Sequence, residues 1–397
     1  MSGRQTALES RWPAARLALF YAAMFAAIGV YMPFWPVWLA AQGVTPFELG
    51  VLLSANHWLK IVTNPLIARL VDRRGERRMP LVLLALATFA VFLPFPLVAG
   101  FAALLLLTLL NSVFFPAIVP VGENLALVIV YARNLDYGRI RLWGSIAFVA
   151  GALGGGALLA GRSEDVIWWT IVLAMAAMVA ACVGLPEARL APSSSGSATV
   201  GIGGLLKHRA FVYFLIAGGL LQASHAVYYG FSAIAWRAAG IGETTIGALW
   251  ALGVVAEILL FAFSTRLVAR FRPSSFLIAA ALVGLLRWSA TPFTDWVPAL
   301  ALLQLLHAVT FGAAHLGAMH FIARAAPAGA SATVQGIYSG AAVGGLTGLA
   351  ALVGGTLYAA IGPLAYLAMT GLSAVALGAA ILLARRWDGQ TLKVGLR

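Results

Sequence analysis

The sequence predicts an all-α integral membrane protein with twelve transmembrane helices in two pseudo-symmetric six-helix bundles. Three observations predict this fold. Of the 397 residues, 62% are hydrophobic and only 10% are charged, whereas about a quarter of the residues in a soluble domain are charged. Apolar stretches of about 20 residues, the length that spans a bilayer, recur along the chain. The two halves of the sequence also repeat each other at a fixed offset.

The apolar stretches give the predicted helices in order. They lie at 15–41, 47–69, 79–98, 100–131, 138–160, 166–185, 210–236, 244–268, 275–293, 296–322, 332–360 and 363–384. The long connection 186–209 is rich in Ser and Gly, which is typical of a linker. It separates a predicted N-terminal bundle, 1–185, from a predicted C-terminal bundle, 210–397.

The basic residues predict the topology. The 26 Lys and Arg fall almost entirely in the tails and alternate loops of one side, which is the positive-inside pattern and predicts that both termini are cytoplasmic. The exceptions are Lys60, Arg162, Arg237 and Arg287. The net charge of +13 therefore indicates orientation and contact with anionic lipid rather than nucleic-acid binding. We expect a bacterial inner-membrane protein whose first span is not cleaved; the single Cys182 allows no intrachain disulfide.

The internal repeat has an offset of 197 residues. It places "VYMPF" at 30–34 over "VYYGF" at 227–231, and "RLVDR" at 69–73 over "RLVAR" at 266–270. The same offset pairs Gly43 with Gly240 and Gly50 with Gly247. Two parallel six-helix repeats around a central pathway resemble the architecture of the major facilitator superfamily, which implies transport by alternating access.

A basic loop follows the second predicted helix. Its sequence "VDRRGERR" resembles the loop motif of the facilitator superfamily, in which the Asp caps a neighbouring helix end and the arginines hold an inward gate. The resemblance implies a gating loop formed by Asp72, Arg73, Gly75, Arg77 and Arg78. The alternative is a basic loop that only contributes to the positive-inside pattern.

Glu257 is an isolated acid inside the apolar segment "GALWALGVVAEILLFAFSTRL". A charge at the centre of a bilayer costs from about 3 to more than 10 kcal/mol, so we expect compensation by a partner. By topology its possible cationic neighbours are Lys60, Arg287 and Arg141. A carboxyl group whose partner changes can bind a proton in one state and release it in another, which proton-coupled transport requires. The alternative is a permanent ion pair with Lys60.

The segment "YGRIRLWG" resembles the start of helix 5 in the lactose permease group of oligosaccharide:H⁺ symporters. This resemblance implies that Arg141 pairs with Glu123 at the substrate site. It also implies coupling roles for Glu257, Arg287 and His307. The helix-10 carboxylate of that group corresponds to Thr310 here, so Glu257 or His307 would have to carry more of the proton route.

Longer segments resemble the 3-phenylpropionate transporter family along nearly the whole chain. They are "MPFWPVWL", "LDYGRIRLWGSIAFVAG", "HAVYYGFSAIAWRAAG", "LWALGVVAE" and "LLHAVTFGAAHLGAMHFIA". The resemblance implies uptake of an aromatic acid. Aromatic side chains could sandwich its ring while Arg141 or Lys60 holds its carboxylate. The candidate binding residues are Tyr31, Phe34, Lys60, Glu123, Arg141, His225, Tyr228 and Tyr229.

Structural alternatives exist for His225 and for the aromatic residues near the helix ends, whereas the deeper position of Tyr31 and Tyr228 favours the site. A buried His such as His225 is often only hydrogen-bonded within the fold. The tryptophans near the helix ends, Trp35, Trp38 and Trp236, are equally typical of an interfacial belt.

The predicted function is proton-coupled import of a small aromatic carboxylate such as 3-phenylpropionate. Alternatives are a proton-coupled sugar or oligosaccharide symporter, a drug-efflux antiporter, and a membrane sensor without transport. No metal-ligand cluster, phosphate-binding loop or nucleophile–base pair is evident, so we expect neither an enzyme nor a cofactor. The expected partners are the substrate, protons and membrane lipid, with the monomer as the working unit and the proton gradient as the driving force.

Overall fold

A computed structural model describes residues 2–187, 202–327 and 330–392, which are mostly helical. Six long helices form the first half: α1 Ser2–Ala41, α2 Pro46–Arg74, α3 Arg78–Phe92, α4 Phe101–Arg133, α5 Tyr137–Leu159 and α6 Asp165–Gly184. Their ends follow local rules. Thr45 and Glu48 form a capping box at the start of α2, and the Asp136 side chain accepts the Arg139 N–H at the start of α5.

The second half contains the same number of long helices, but several are interrupted. They are α7 Arg209–Ala223 with Ala226–Ala238, α8 Glu243–Ala262 with Ser264–Arg270, α9 Pro273–Ala290, α10 Val297–Leu305 with Ala314–Ala325, α11 Ser331–Ile337 with Leu346–Ile361, and α12 Tyr366–Arg386. In α10 and α11 the pieces are joined by π-helical segments, Ala308–Ala313 and Tyr338–Gly345. A short helix, Ile202–Lys207, precedes α7. Segments of π-helix occur often at functional sites.

The helices agree with the predicted membrane spans. In the described part of the chain, ten helical stretches are long and apolar enough to cross a membrane, and the last of them, Ser331–Arg386, contains both α11 and α12. Helix α2 is not among them; it carries Asn56, His57, Lys60 and Asn64 along its middle. The predicted twelve-helix count is consistent with these elements.

The internal repeat has a direct structural counterpart at the ends of α1 and α7. Gly43 has φ +83° and Gly240 has φ +81°, a conformation that favours glycine. The hydrogen bonds around them also match. Val44 N donates to Leu39 O and Ile241 N donates to Trp236 O, so each helix ends in the same glycine-dependent cap. The predicted pairing of the two glycines is therefore confirmed in three dimensions.

The chain divides into two compact units. The first contains 1–44, 62–194 and 242–251, and the second contains 45–61, 195–241 and 252–397. The start of α2 therefore packs in the second unit and the start of α8 packs in the first. The predicted bundle boundaries 1–185 and 210–397 differ from these units in those two segments, and most of the predicted linker 186–209 lies outside the described residues.

Small residues explain why these helix starts pack as they do. In the second unit, a Cβ built on Gly355 of α11 would lie 2.7 Å from the Gly50 Cα of α2. In the first unit, Gly247 of α8 packs against the backbone of Ala152 and Gly156 in α5. Gly50 and Gly247 are the second glycine pair of the repeat, so each unit uses the equivalent residue for close helix contact.

Candidate functional site

The interruption of α7 brings a histidine into the interior of the second unit. The helix stops at Ala223 and resumes at Ala226, with Ser224 and His225 between the two pieces. The Ser224 hydroxyl donates to Leu221 O at 2.7 Å and accepts the Trp288 indole N–H at 3.3 Å. The His225 side chain is fully buried, and its ring packs edge-on against Trp288 and His307.

Arg287 of α9 lies at the centre of a buried polar cluster in the same unit, although its side chain is 0% exposed. Its Nη1 lies 3.1 Å from His307 Nδ1 and donates to Thr310 Oγ1 at 2.9 Å, while Nη2 donates to Gln304 Oε1 at 3.1 Å. The guanidinium also lies over the rings of Tyr228 and Trp288, at 5.0 and 4.4 Å from their centroids. These neutral contacts compensate for part of the cost of burying the charge.

The donors in this cluster fix the protons of both histidines. Because a guanidinium can only donate, His307 Nδ1 must accept from Arg287, and the neutral ring then carries its proton on Nε2. Thr310 accepts from Arg287 and can donate its own hydroxyl proton to His225 Nε2, 3.2 Å away. His225 Nδ1 lies 3.0 Å from the Leu221 carbonyl and therefore carries the other proton. The two rings are thus held as opposite tautomers.

Glu257 of α8 meets this cluster through His307. Its Oε2 lies 3.8 Å from His307 Nε2, and the two side chains are 19% and 8% exposed. Gly253 packs beside His307 and Gly312 beside Glu257, since Cβ atoms built on these glycines would lie 3.4 Å from His307 Cβ and Glu257 Cγ. In the described part of the chain Lys60 forms no ion pair, so the alternative of a permanent Lys60–Glu257 pair is not realised here.

The π-helical segment of α10 follows His307 directly and contains Thr310. The rings of His307, Phe311 and His315 form a ladder, with centroid separations of 5.3 and 6.3 Å. His307 and His315 therefore share a helix face, as their spacing in the sequence predicts.

The first unit contains a second polar group, around Glu123 of α4. Arg141 of α5 donates from Nε to Glu123 Oε1 at 3.1 Å, so the predicted pairing is present. The hydroxyls of Tyr21 and Tyr137 donate to the other carboxylate oxygen, at 2.8 and 2.5 Å. The Arg141 guanidinium also lies 4.1 Å from the ring centroid of Phe25. Both charges of this pair are therefore already compensated within the unit.

The predicted aromatic residues occupy different environments. Tyr31 stacks on Trp35 with centroids 5.8 Å apart and also contacts Phe92 and Phe115. Phe34 is fully buried, and its ring lies against Gly155 of α5.

In the second unit, the Tyr228 hydroxyl donates to Gln304 Oε1 at 2.9 Å. Its neighbour Tyr229 stacks on His225 at 5.6 Å. Tyr228, Tyr229 and His225 therefore lie beside the buried cluster, whereas Phe34 belongs to the helix-packing core of its own unit.

The basic loop between α2 and α3 is an organised structure. Gly75 has φ +66°, and the buried Arg77 pairs with Asp72 at 3.3 Å and donates from Nε to Asn124 of α4. Arg78 donates to the carbonyl of Val183 at the end of α6, at 2.6 Å. The motif predicts that the Asp caps a neighbouring helix; here Asp72 instead pairs within the loop, and the arginines make the contacts to other helices.

Several residues of these clusters were not singled out as site residues from the sequence. They are Tyr21, Tyr137, Trp288, Gln304 and Thr310. A signal for Gln304 and Thr310 exists, since they lie three residues before and after His307 and share its helix face. The tyrosines carry no such signal, because their hydroxyls reach Glu123 only through the packing of α1 and α5 on α4.

Comparison with known proteins places the chain in a transporter family. The family model described as MFS_1 like family matches residues 14–368. The chain is 36% identical over 355 residues to the probable 3-phenylpropionic acid transporter of Escherichia coli K12, covering 89% of this chain and 92% of that protein. It is 28% identical over 342 residues to the maltose permease of Geobacillus stearothermophilus, covering 85% and 86% of the two chains.

Solved structures show the same fold at low sequence identity. The nucleoside transporter NupG superposes with a TM-score of 0.80 at 15% identity, covering 94% of this chain and 99% of that one. A bacterial homologue of the human lysosomal transporter Spinster, in an inward-facing and unoccupied conformation, gives 0.73 at 14% identity, covering 96% and 98%. The predicted major facilitator fold is therefore confirmed.

Proposed function

The chain belongs to the MFS_1 like family of membrane transporters, and on that premise we propose that it imports a small aromatic carboxylate, such as 3-phenylpropionate, together with protons. The proposed location is the bacterial cytoplasmic membrane, with both termini cytoplasmic and the monomer as the working unit. Symport with protons suits an anionic substrate, because the proton offsets the charge that would otherwise move against an inside-negative potential.

The contact between Glu257 and His307 is the observation that carries the proton-coupling part of the proposal. The lone pair on His307 Nδ1 is engaged by Arg287, so His307 cannot bind a second proton without losing that contact. Glu257 is the carboxyl group that contacts the buried cluster, through His307 Nε2, and we propose it as the group that binds and releases the proton. A carboxyl group in this setting is sensitive to any movement of its neighbours, which is what coupling requires.

The substrate class rests on the similarity to the Escherichia coli protein and on the side chains available. Tyr31 and its stacked partner Trp35 in the first unit are aromatic side chains of the type that binds a phenyl ring. In the second unit, Tyr229 is the aromatic side chain of this type that is only partly buried. A proton-coupled sugar symporter is the second candidate. The similarity to the Geobacillus maltose permease and the Glu123–Arg141 pair favour it.

Reconstituted vesicles with an imposed pH gradient test the coupling. We expect Glu257→Gln to abolish uphill accumulation of labelled 3-phenylpropionate while leaving exchange across the membrane in place. Glu48→Gln is the matched control, since a glutamine can replace the glutamate of the capping box at the start of α2. Normal accumulation by Glu257→Gln would refute the coupling role.

Competition in the same vesicles separates the two substrate classes. We expect wild-type protein to accumulate labelled 3-phenylpropionate and to show no uptake of labelled maltose. If the protein takes up maltose and excess 3-phenylpropionate does not inhibit that uptake, the proposed substrate is a sugar and not an aromatic acid.

The loop Asp72–Arg78 is proposed as a gating element. Arg77 links Asp72 at the end of α2 to Asn124 of α4, and Arg78 links the start of α3 to the end of α6. A movement of α2 would therefore have to break or carry the Arg77 contacts.

A further inference from the structure

The side chains of His57 and Lys60 on α2 have no hydrogen-bond partner or ion pair in the described part of the chain. The His57 Nδ1 is buried without a hydrogen bond. Lys60, one turn further along, makes no ion pair or hydrogen bond with any described residue. The spacing of three places both side chains on one face of the helix, where residues three apart are neighbours. A half-buried ammonium beside a half-buried imidazole is costly in a membrane span unless a ligand uses it.

Packing holds this part of α2 in place within the second unit. The Trp58 indole N–H donates to Gly345 O of α11 at 3.2 Å. A Cβ built on Gly344 would lie 2.8 Å from Ile61 Cγ1, and one on Gly230 of α7 would lie 2.7 Å from Leu53 Cδ1. The residues on both sides of His57 and Lys60 are therefore fixed against two helices, so the face that carries the pair is preorganised.

Arg141 and Arg287, the other cations named as possible neighbours of Glu257, are already engaged. Arg141 is paired with Glu123 at 3.1 Å. Arg287 is fully buried and donates to Thr310 and Gln304. Of the two cations that the sequence offers for a substrate carboxylate, Arg141 and Lys60, only Lys60 retains an unused charge among the described residues.

We propose that Lys60 and His57 together form the anchor for the carboxylate group of the substrate. The ammonium supplies the charge, and the imidazole supplies an N–H donor for the second carboxylate oxygen. The anchor rests on the proposed aromatic acid substrate and adds a specificity-determining pair to it: the pair selects the acid over neutral molecules of the same shape.

Equilibrium binding to the purified full-length protein tests the anchor with two probes of nearly equal shape. The probes are 3-phenylpropionate and the neutral 3-phenylpropan-1-ol. We expect Lys60→Gln to weaken binding of the acid by about tenfold to a hundredfold, the range of a lost charge-assisted hydrogen bond, and to leave binding of the alcohol unchanged. His57→Leu should weaken the acid by about tenfold, the lower end of the same range, because its N–H also donates to a charged oxygen. Lys207→Gln, a change of the same type at an exposed lysine, should affect neither probe.

The outcomes separate the anchor from the proposed function. If wild-type protein prefers the acid and Lys60→Gln keeps that preference within about twofold, the anchor is wrong while the substrate class stands. If wild-type protein binds maltose and neither aromatic probe, both proposals fall. Should Lys60→Gln aggregate on size exclusion, Lys60→Arg and His57→Leu carry the test. Full acid selectivity in His57→Leu together with loss of acid selectivity in Lys60→Arg would also overturn the shared anchor, because the two side chains would then act separately.

Discussion

Thr310 joins two of the buried side chains of the second unit, and removing its hydroxyl tests the assignment of protons in that cluster. The hydroxyl accepts from Arg287 at 2.9 Å and faces His225 Nε2 at 3.2 Å. Thr310→Val keeps the shape of the side chain but leaves one guanidinium N–H and one imidazole nitrogen without a partner. Arg287 and His225 are both 0% exposed, so water cannot replace the lost contacts.

The expected loss follows from the two contacts. A hydrogen bond to a charged group contributes about 1.5–3 kcal/mol and one between neutral groups about 0.5–1.5 kcal/mol, so the change should cost about 2–4 kcal/mol. For a unit of this size we expect the melting temperature to fall by at least about 4 °C. Tryptophan fluorescence during heating of the detergent-purified protein measures this shift, since Trp288 contacts both Arg287 and His225.

Thr347 of α11 provides a matched control. It is also buried, but its hydroxyl has no hydrogen-bond partner among the described residues. Thr347→Val therefore loses no contact and should melt within about 1 °C of wild type, and Thr310→Ser should keep most of the stability of the cluster. Equal melting temperatures for Thr310→Val and Thr347→Val would refute the proposed hydrogen-bond chain.

Two further variants test the helix packing and the basic loop. Gly355→Val should lower the melting temperature and the transport rate, because the added Cβ would lie 2.7 Å from Gly50 Cα; Gly371→Val, where nothing lies within 4 Å, is the control, and equal effects of the two would contradict the close contact. Arg77→Lys should slow uptake several-fold, since a lysine cannot bind Asp72 and Asn124 at the same time. The control is Arg74→Lys, at an exposed arginine, which should leave the initial uptake rate unchanged. An Arg77→Lys variant with a wild-type rate would remove the loop from the transport cycle.

Much of the fold follows from patterns that the sequence displays openly. Apolar stretches of span length predict where the helices lie. The offset between the halves pairs Gly43 with Gly240, and both residues have a positive φ and the same helix cap. The pairing of Arg141 with Glu123 was also accessible, because the resemblance in "YGRIRLWG" named both residues.

The interior of the second unit was less accessible to sequence reasoning. The break at Ser224–His225 and the π-helical segments of α10 and α11 depend on tertiary packing that a helical period does not record. The roles of Thr310 and Gln304 follow from the position of Arg287 on a different helix. The sequence shows that Thr310 stands where the resemblance leads us to expect a carboxylate. It does not show that the Thr310 hydroxyl contacts Arg287 and His225 instead.

The exchange of helix starts between the two units has a consequence for biosynthesis. The ribosome makes Gly50 about 300 residues before Gly355, the residue that Gly50 contacts. The start of α2 can therefore pack fully only after nearly the entire polypeptide has been synthesised. Two separately expressed halves would each lack a partner for one of these glycine contacts. We therefore expect them to assemble only when both are made in the same membrane.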